Sequence, residues 1–174
     1  MHMVIRAIVY ANNKKEAVSQ AEDVFEGLVE RTTFDYYQMF DKEDKWGGAK
    51  ERWGNYSIAY KYNSKKGKKL VIDGWDSTYN DFKVYFDKAK EILAKCKSVD
   101  ELLRRDSMDR WYIGRLGAYE GSCCWLYDND GSGITDEEHL DKTISKWKCF
   151  YEDKGKKNPY ADLDLWVVPA DVHF

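Results

Sequence analysis

Residues 3–11, Met-Val-Ile-Arg-Ala-Ile-Val-Tyr-Ala, are so dense in β-branched and apolar side chains that they read as a strand. Asn12-Asn13 interrupts the run, and a helix is predicted at once, from about Lys14 to Arg31. Asn13 with Glu16 supplies its cap. Ala17, Val18, Ala21, Val24, Phe25, Leu28 and Val29 recur at spacings of three and four, so one broad apolar stripe must lie on a sheet. A strand leading into a sheet-covering helix confines the chain to the α/β and α+β classes.

The other end of the chain narrows the choice. Leu163-Asp-Leu-Trp-Val-Val precedes Pro169, and a segment this apolar has to be tied into the sheet. Proline donates no ladder hydrogen bond, so the strand is expected to pause or finish there. Between the ends, Tyr56–Tyr62 and Lys69–Ile72 are read as two strands joined by the hairpin loop Asn63-Ser-Lys-Lys-Gly67. Ser77 or Thr78 would then cap a second helix to about Lys97, with Phe82, Phe86, Ala89, Leu93 and Cys96 on its stripe. Ser98 with Glu101 is a capping box for a short helix. Ser107 to Gly121 keeps no single period.

These elements imply an α+β fold: a mainly antiparallel sheet with two or three helices packed on one face, its first portion patterned like a ferredoxin-like core. No linker of suitable composition divides the 174 residues, so they form one domain, 1–174, with a mobile loop at about 42–55. Aromatic residues make up 16% of the chain, far above what disorder tolerates. No apolar run approaches the ~18 residues of a membrane span. The first residues lack a signal peptide's regions, and the 4 cysteines show no Cys-x-x-Cys spacing, so a reducing, cytoplasmic setting is expected.

Chemical potential concentrates at Asp128-Asn-Asp-Gly-Ser-Gly133. Asp128, Asp130, Ser132 and Gly133 imitate the opening of a calcium-binding EF-hand loop, but Ile134 then breaks the register and His139 stands where the bidentate glutamate belongs. The preceding residues read as a strand, not a helix. The loop is therefore a strand-to-helix connection, with Thr135 as cap and Glu138 closing a capping box. Asp171 and His173 would share a strand face. Brought near Asp128 and Asp130, they would form a metal site for Ca²⁺ or Mg²⁺.

Two functions follow from this reading. The first is a small non-enzymatic binding protein whose loop residues Trp46, Lys50, Arg52 and Trp53 contact another protein or a second copy. Lysines gather at 61–69 and 146–157, yet the net charge of −3 does not favour nucleic acid. The alternative is a divalent-metal-dependent phosphoester hydrolase using Asp128, Asp130, Asp171 and His173. His2, near the chain start, is assigned no role.

Overall fold

The computed structural model describes residues 2–40, 48–117, 124–152 and 163–173, and for 147–152 the backbone alone. The chain runs β1 (His2–Ala11), α1 (Lys14–Glu30), β2 (Tyr36–Met39), α2 (Ala49–Trp53), β3 (Tyr60–Lys61) and α3 (Lys65–Ala94). It continues with α4 (Val99–Leu103), α5 (Ser107–Gly117), β4 (Leu126–Tyr127), α6 (Glu137–Glu152) and β5 (Asp164–His173). The α+β class holds, with a mixed sheet ordered β2-β5-β1-β4 and β3 also paired to β5.

The first and last strands form the centre. β1 and β5 pair antiparallel along their full length, from His2 opposite His173 to Ala11 opposite Asp164. β2 and β3 both run antiparallel to β5. Only β4 is parallel, placing Leu126 beside Arg6. Pro169 does not end β5, and the register explains why. The Arg6 amide donates to Trp125 O, toward β4, so Arg6 and Pro169 form a pair without mutual backbone hydrogen bonds. The proline nitrogen therefore faces the opposite edge, where β2 has stopped at Ala170 and β3 begins at Val167. Among the described residues no strand partner there requires a donor.

Helices cover both faces of the sheet instead of one. Met3, Ile5, Ala7, Val9 and Ala11 pack with Trp166, Val168, Ala170 and Val172 beneath the α1 stripe. The alternate residues Ile8, Leu165 and Val167 meet Leu70 and Val71 of α3, with Leu126 and Ile134. Helices on both faces and the absence of the central hairpin depart from the ferredoxin-like pattern. Asn13 caps α1 by accepting from the Glu16 amide, and the Glu16 carboxylate accepts from the Asn12 amide.

The expected hairpin at 56–72 is the largest correction. Only Tyr60–Lys61 is strand, and Lys65 opens a helix of 30 residues, about 45 Å long at 1.5 Å per residue. Ser64 is its cap, accepting from the Gly67 amide at 3.0 Å. Gly67, Leu70, Val71, Gly74 and Thr78 are buried at helical spacing, while Ile72 points outward. Two glycines of α3 are contact points. A Cβ on Gly67 would lie 2.1 Å from Lys61 O, and one on Gly74 3.1 Å from Arg6 Cδ. Ser77 and Thr78 are interior to α3, and their hydroxyls bond back to Asp73 O and Gly74 O.

Beyond Thr78 the helix leaves the sheet-centred clusters and packs on α5. Tyr85 meets Trp111 edge-on at 5.5 Å and lies 6.1 Å from Tyr112, with Arg115 over the Tyr85 ring. Neither α4 nor α5 contains a fully buried residue. Of the stretch expected to be a mobile loop at 42–55, Ala49–Trp53 is helical, whereas residues 42–47, Trp46 among them, lie outside the described residues.

Candidate functional site

Asp171 unites residues from both sets named in the sequence analysis. It projects from β5 beside Val4 and is fully buried. A carboxylate cannot stay charged there without donors. The Trp53 indole donates to Oδ1 at 2.9 Å, Arg52 Nε donates to Oδ2 at 3.1 Å, and His2 Nδ1 lies 3.2 Å from Oδ1. Arg52 and Trp53 belong to α2, which the carboxylate thus pins to the sheet through two consecutive side chains. Lys50 of the same helix is exposed. His173 stands one turn of the pleat away, bonded to Asp35 at 2.8 Å and stacked on Tyr36. His2, given no role from sequence, packs edge-on against His173 at 5.0 Å.

The acidic loop lies elsewhere. Asp128 Oδ1 accepts from the amides of Asp130 and Ser132, each at 2.9 Å, which closes an Asx-type turn with Gly131 at φ 74°. Arg31, just past α1, donates to Gly131 O at 3.0 Å and fastens the loop from outside. Asp128 Oδ2 meets His139 Nε2 at 2.9 Å. The cap of α6 is Asp136 in place of Thr135, its carboxylate accepting from the His139 amide at 2.7 Å. That one-residue shift is what turns His139 toward Asp128.

This Asp–His pair borders a cleft of about 680 Å³ whose walls include Asn12, Glu16 and Gln20 on one side and His139, Lys142 and Lys146 on the other. Tyr10 lines it and donates to Thr143 O. Burial pushes the Tyr10 phenol up to about 12, and the charges of Asp128 and Asp130 add to the shift. Carboxylate, amide, imidazole and ammonium groups all line it, so the cleft suits a polar ligand with groups of both signs.

The two acidic sites are not brought together. Asp171 sits level with Val4 on one side of β1, and Asp128 follows Tyr127, which is level with Ala7 on the other side. Four strand positions and two strand spacings separate them, roughly 16 Å from standard sheet dimensions. Among the described residues no three His, Cys, Asp or Glu side chains converge as metal ligands. The sequence reading missed Tyr10 and the role of His139. The second was legible in principle, since the histidine that broke the EF-hand register is the residue that holds Asp128.

The chain belongs to a family described as Domain of unknown function (DUF7995), whose model matches residues 1–174. No curated protein and no solved structure matches it.

Proposed function

We propose that this protein is a non-catalytic interaction module that docks a partner protein along α3. The observation that carries the reading is a seven-residue repeat of uncovered apolar side chains. Ile72, Tyr79, Phe86 and Leu93 are 57%, 57%, 45% and 49% exposed. Trp75 and Phe82 fall between them half-buried, and Ala89 is buried against the protein itself, so the exposed row is the outer edge of the helix. Val99, Leu103, Met108 and Trp111 on α4 and α5 add further exposed apolar surface. Large uncovered apolar residues at regular spacing in a well-packed domain are the usual mark of a protein contact.

Charge narrows the partner. Exposed Asp76, Lys83 and Lys90 follow the stripe residues by four positions, so two of the three flanking charges are basic. The complementary partner is an amphipathic helix with an apolar seam and a mainly acidic flank. A cytoplasmic setting is consistent with this reading, since among the described residues no helix is long and apolar enough to cross a membrane. The Trp46, Lys50, Arg52 and Trp53 surface is less favoured, because Asp171 already engages Arg52 and Trp53.

A designed heptad peptide with leucine at its seam and glutamate on its flanks is the direct probe, read by fluorescence anisotropy. Binding that Phe86→Glu abolishes, and that a lysine-flanked version of the peptide fails to reproduce, is the expected result. Absence of binding by either peptide would sink the reading. Sedimentation at several protein concentrations separates the remaining occupant: a dimer lost in Phe86→Glu assigns the stripe to self-association.

A further inference from the structure

Among the described residues Arg6 is a buried cation without a paired anion. It projects from the centre of β1 beneath α3 and is 5% exposed. Nη1 donates to Val4 O, the Tyr56 hydroxyl is its other polar neighbour, and Nε has no hydrogen-bond partner. Among the described residues no carboxylate forms an ion pair with it. Asp73 acts on it only at longer range and is itself chelated by Lys69, both oxygens at 2.8 Å. Burial pulls the guanidinium down from its ordinary value, with Tyr56 and Asp73 opposing the shift and the Trp125 ring 6.0 Å from the guanidinium carbon. A charge in this position is costly, and proteins that keep one usually pair it or put it to use.

The same Tyr56 and Asp73 line a cleft of about 310 Å³ together with Trp53, Asn55, Tyr60, Lys66, Lys69 and Leu70. One wall is aromatic. The other is the beginning of α3, whose first turns carry Lys65, Lys66, Lys68 and Lys69 and no acidic residue. Cations at the positive end of a helix dipole are unfavourable unless an anion joins them. The lysine-bearing helix start lines this cleft with three aromatic rings, and Arg6, which does not itself line it, stands behind Tyr56 with its Nε unpartnered.

We propose that this cleft binds a small organic anion, a phosphate or carboxylate attached to a flat apolar body. The anionic group meets Lys66 and the Tyr56 hydroxyl, with Arg6 behind Tyr56 supplying fixed positive charge, while Lys69 neutralises Asp73 at the cleft wall. The hydroxyl oxygen faces the guanidinium, and its hydrogen has no acceptor among the described residues. It is thus free to donate to the ligand. The flat body lies against Tyr56, Tyr60 and Trp53. This site is separate from the outward stripe of α3 and stands or falls independently of it.

Phenyl phosphate is the probe, titrated at constant ionic strength with chloride as the control and read by thermal shift and tryptophan fluorescence. Saturable binding of phenyl phosphate is expected, with Lys66→Met and Tyr56→Phe each weakening it about five- to tenfold, as loss of one charge-assisted contact predicts. Arg6→Met should abolish binding while leaving the free protein as stable or more so, because it removes an unpaired buried charge. Binding retained in both Arg6→Met and Tyr56→Phe would overturn the proposal, as would absence of saturable binding up to millimolar probe. If Arg6→Met does not fold, Tyr56→Phe and Lys66→Met decide the matter alone. Benzoate in the same assay distinguishes the carboxylate from the phosphate source.

Discussion

Replacing Asp171 by alanine tests whether its cluster is a structural lock or a binding site. The carboxylate is wholly enclosed and receives Trp53, Arg52 and His2 at 2.9, 3.1 and 3.2 Å. Hydrogen bonds to a charged group contribute about 1.5–3 kcal/mol each. Arg52 and His2 are 34% and 24% exposed at the side chain and can turn to water, which reduces their share. The indole N–H loses its acceptor with less recourse to solvent. A loss of about 3 kcal/mol follows, at the lower end of the range for breaking a buried charged pair. In a chain of this size that is a fall of roughly 6–12 °C in Tm. Trp53→Phe, which removes the donor and keeps much of the ring, should cost about 1.5–2 kcal/mol. The double variant should lose about 1 kcal/mol less than the sum, because both changes remove the same bond. Urea unfolding followed by circular dichroism measures all three. If Asp171→Ala costs under 1 kcal/mol, or the two changes simply add, α2 is not pinned by this carboxylate, and Arg52 and Trp53 return as candidate binding residues.

The glycines of the helices should respond in opposite directions. Gly67→Ala places a methyl group 2.1 Å from a carbonyl oxygen of β3 and should cost about 3 kcal/mol, the upper range of overpacking, whereas Gly114→Ala in α5 meets open space and should stabilise by about 0.5–1 kcal/mol; equal effects in urea melts would contradict the close approach of α3 to β3. Tyr10 and Tyr37 both titrate near 12 in the folded protein, raised chiefly by burial. Their neutral forms are favoured in the native state, so this contribution to stability is complete below pH 10 and disappears as pH rises from about 10 to 12. Tyr10→Phe should make stability fall less steeply across that window and remove one late phenolate from an absorbance titration; an unchanged slope would count against burial of this phenol. Titration of Ca²⁺, Mg²⁺ and Mn²⁺ into chelator-treated protein should give no saturable heat, since both Asp128 oxygens are already engaged. Saturable binding that Asp130→Asn removes would restore the metal reading.

Much of the architecture was legible. The unbroken apolar run of β1 marked a central strand, and Asn13, Ser98 and the α1 stripe placed their helices to within a residue or two. Two-sided burial was legible as well but went unread. Met3–Ala11 and Leu165–Val168 do not alternate apolar with polar, and a strand covered on one face only would have done so. The hairpin error at 63–72 had a different origin. Gly67 and Gly74 look like breakers in a one-dimensional pattern, and β-branched Val71 and Ile72 look like strand, because propensity cannot register an approaching backbone.

By itself, the sequence determined the local and periodic features: where helices are capped, which stripes are apolar, and that both chain ends must enter the sheet. Those depend on residues a few positions apart, within reach of one turn or one pleat. Only the tertiary structure decided that Asp171 meets Arg52 and Trp53 across more than a hundred residues, and that Asp128 lies far from Asp171. It alone left Arg6 enclosed with no paired carboxylate among the described residues. Each outcome is set by strand order and by which face a side chain occupies, and a one-residue slip of β5 would turn Asp171 to the opposite face.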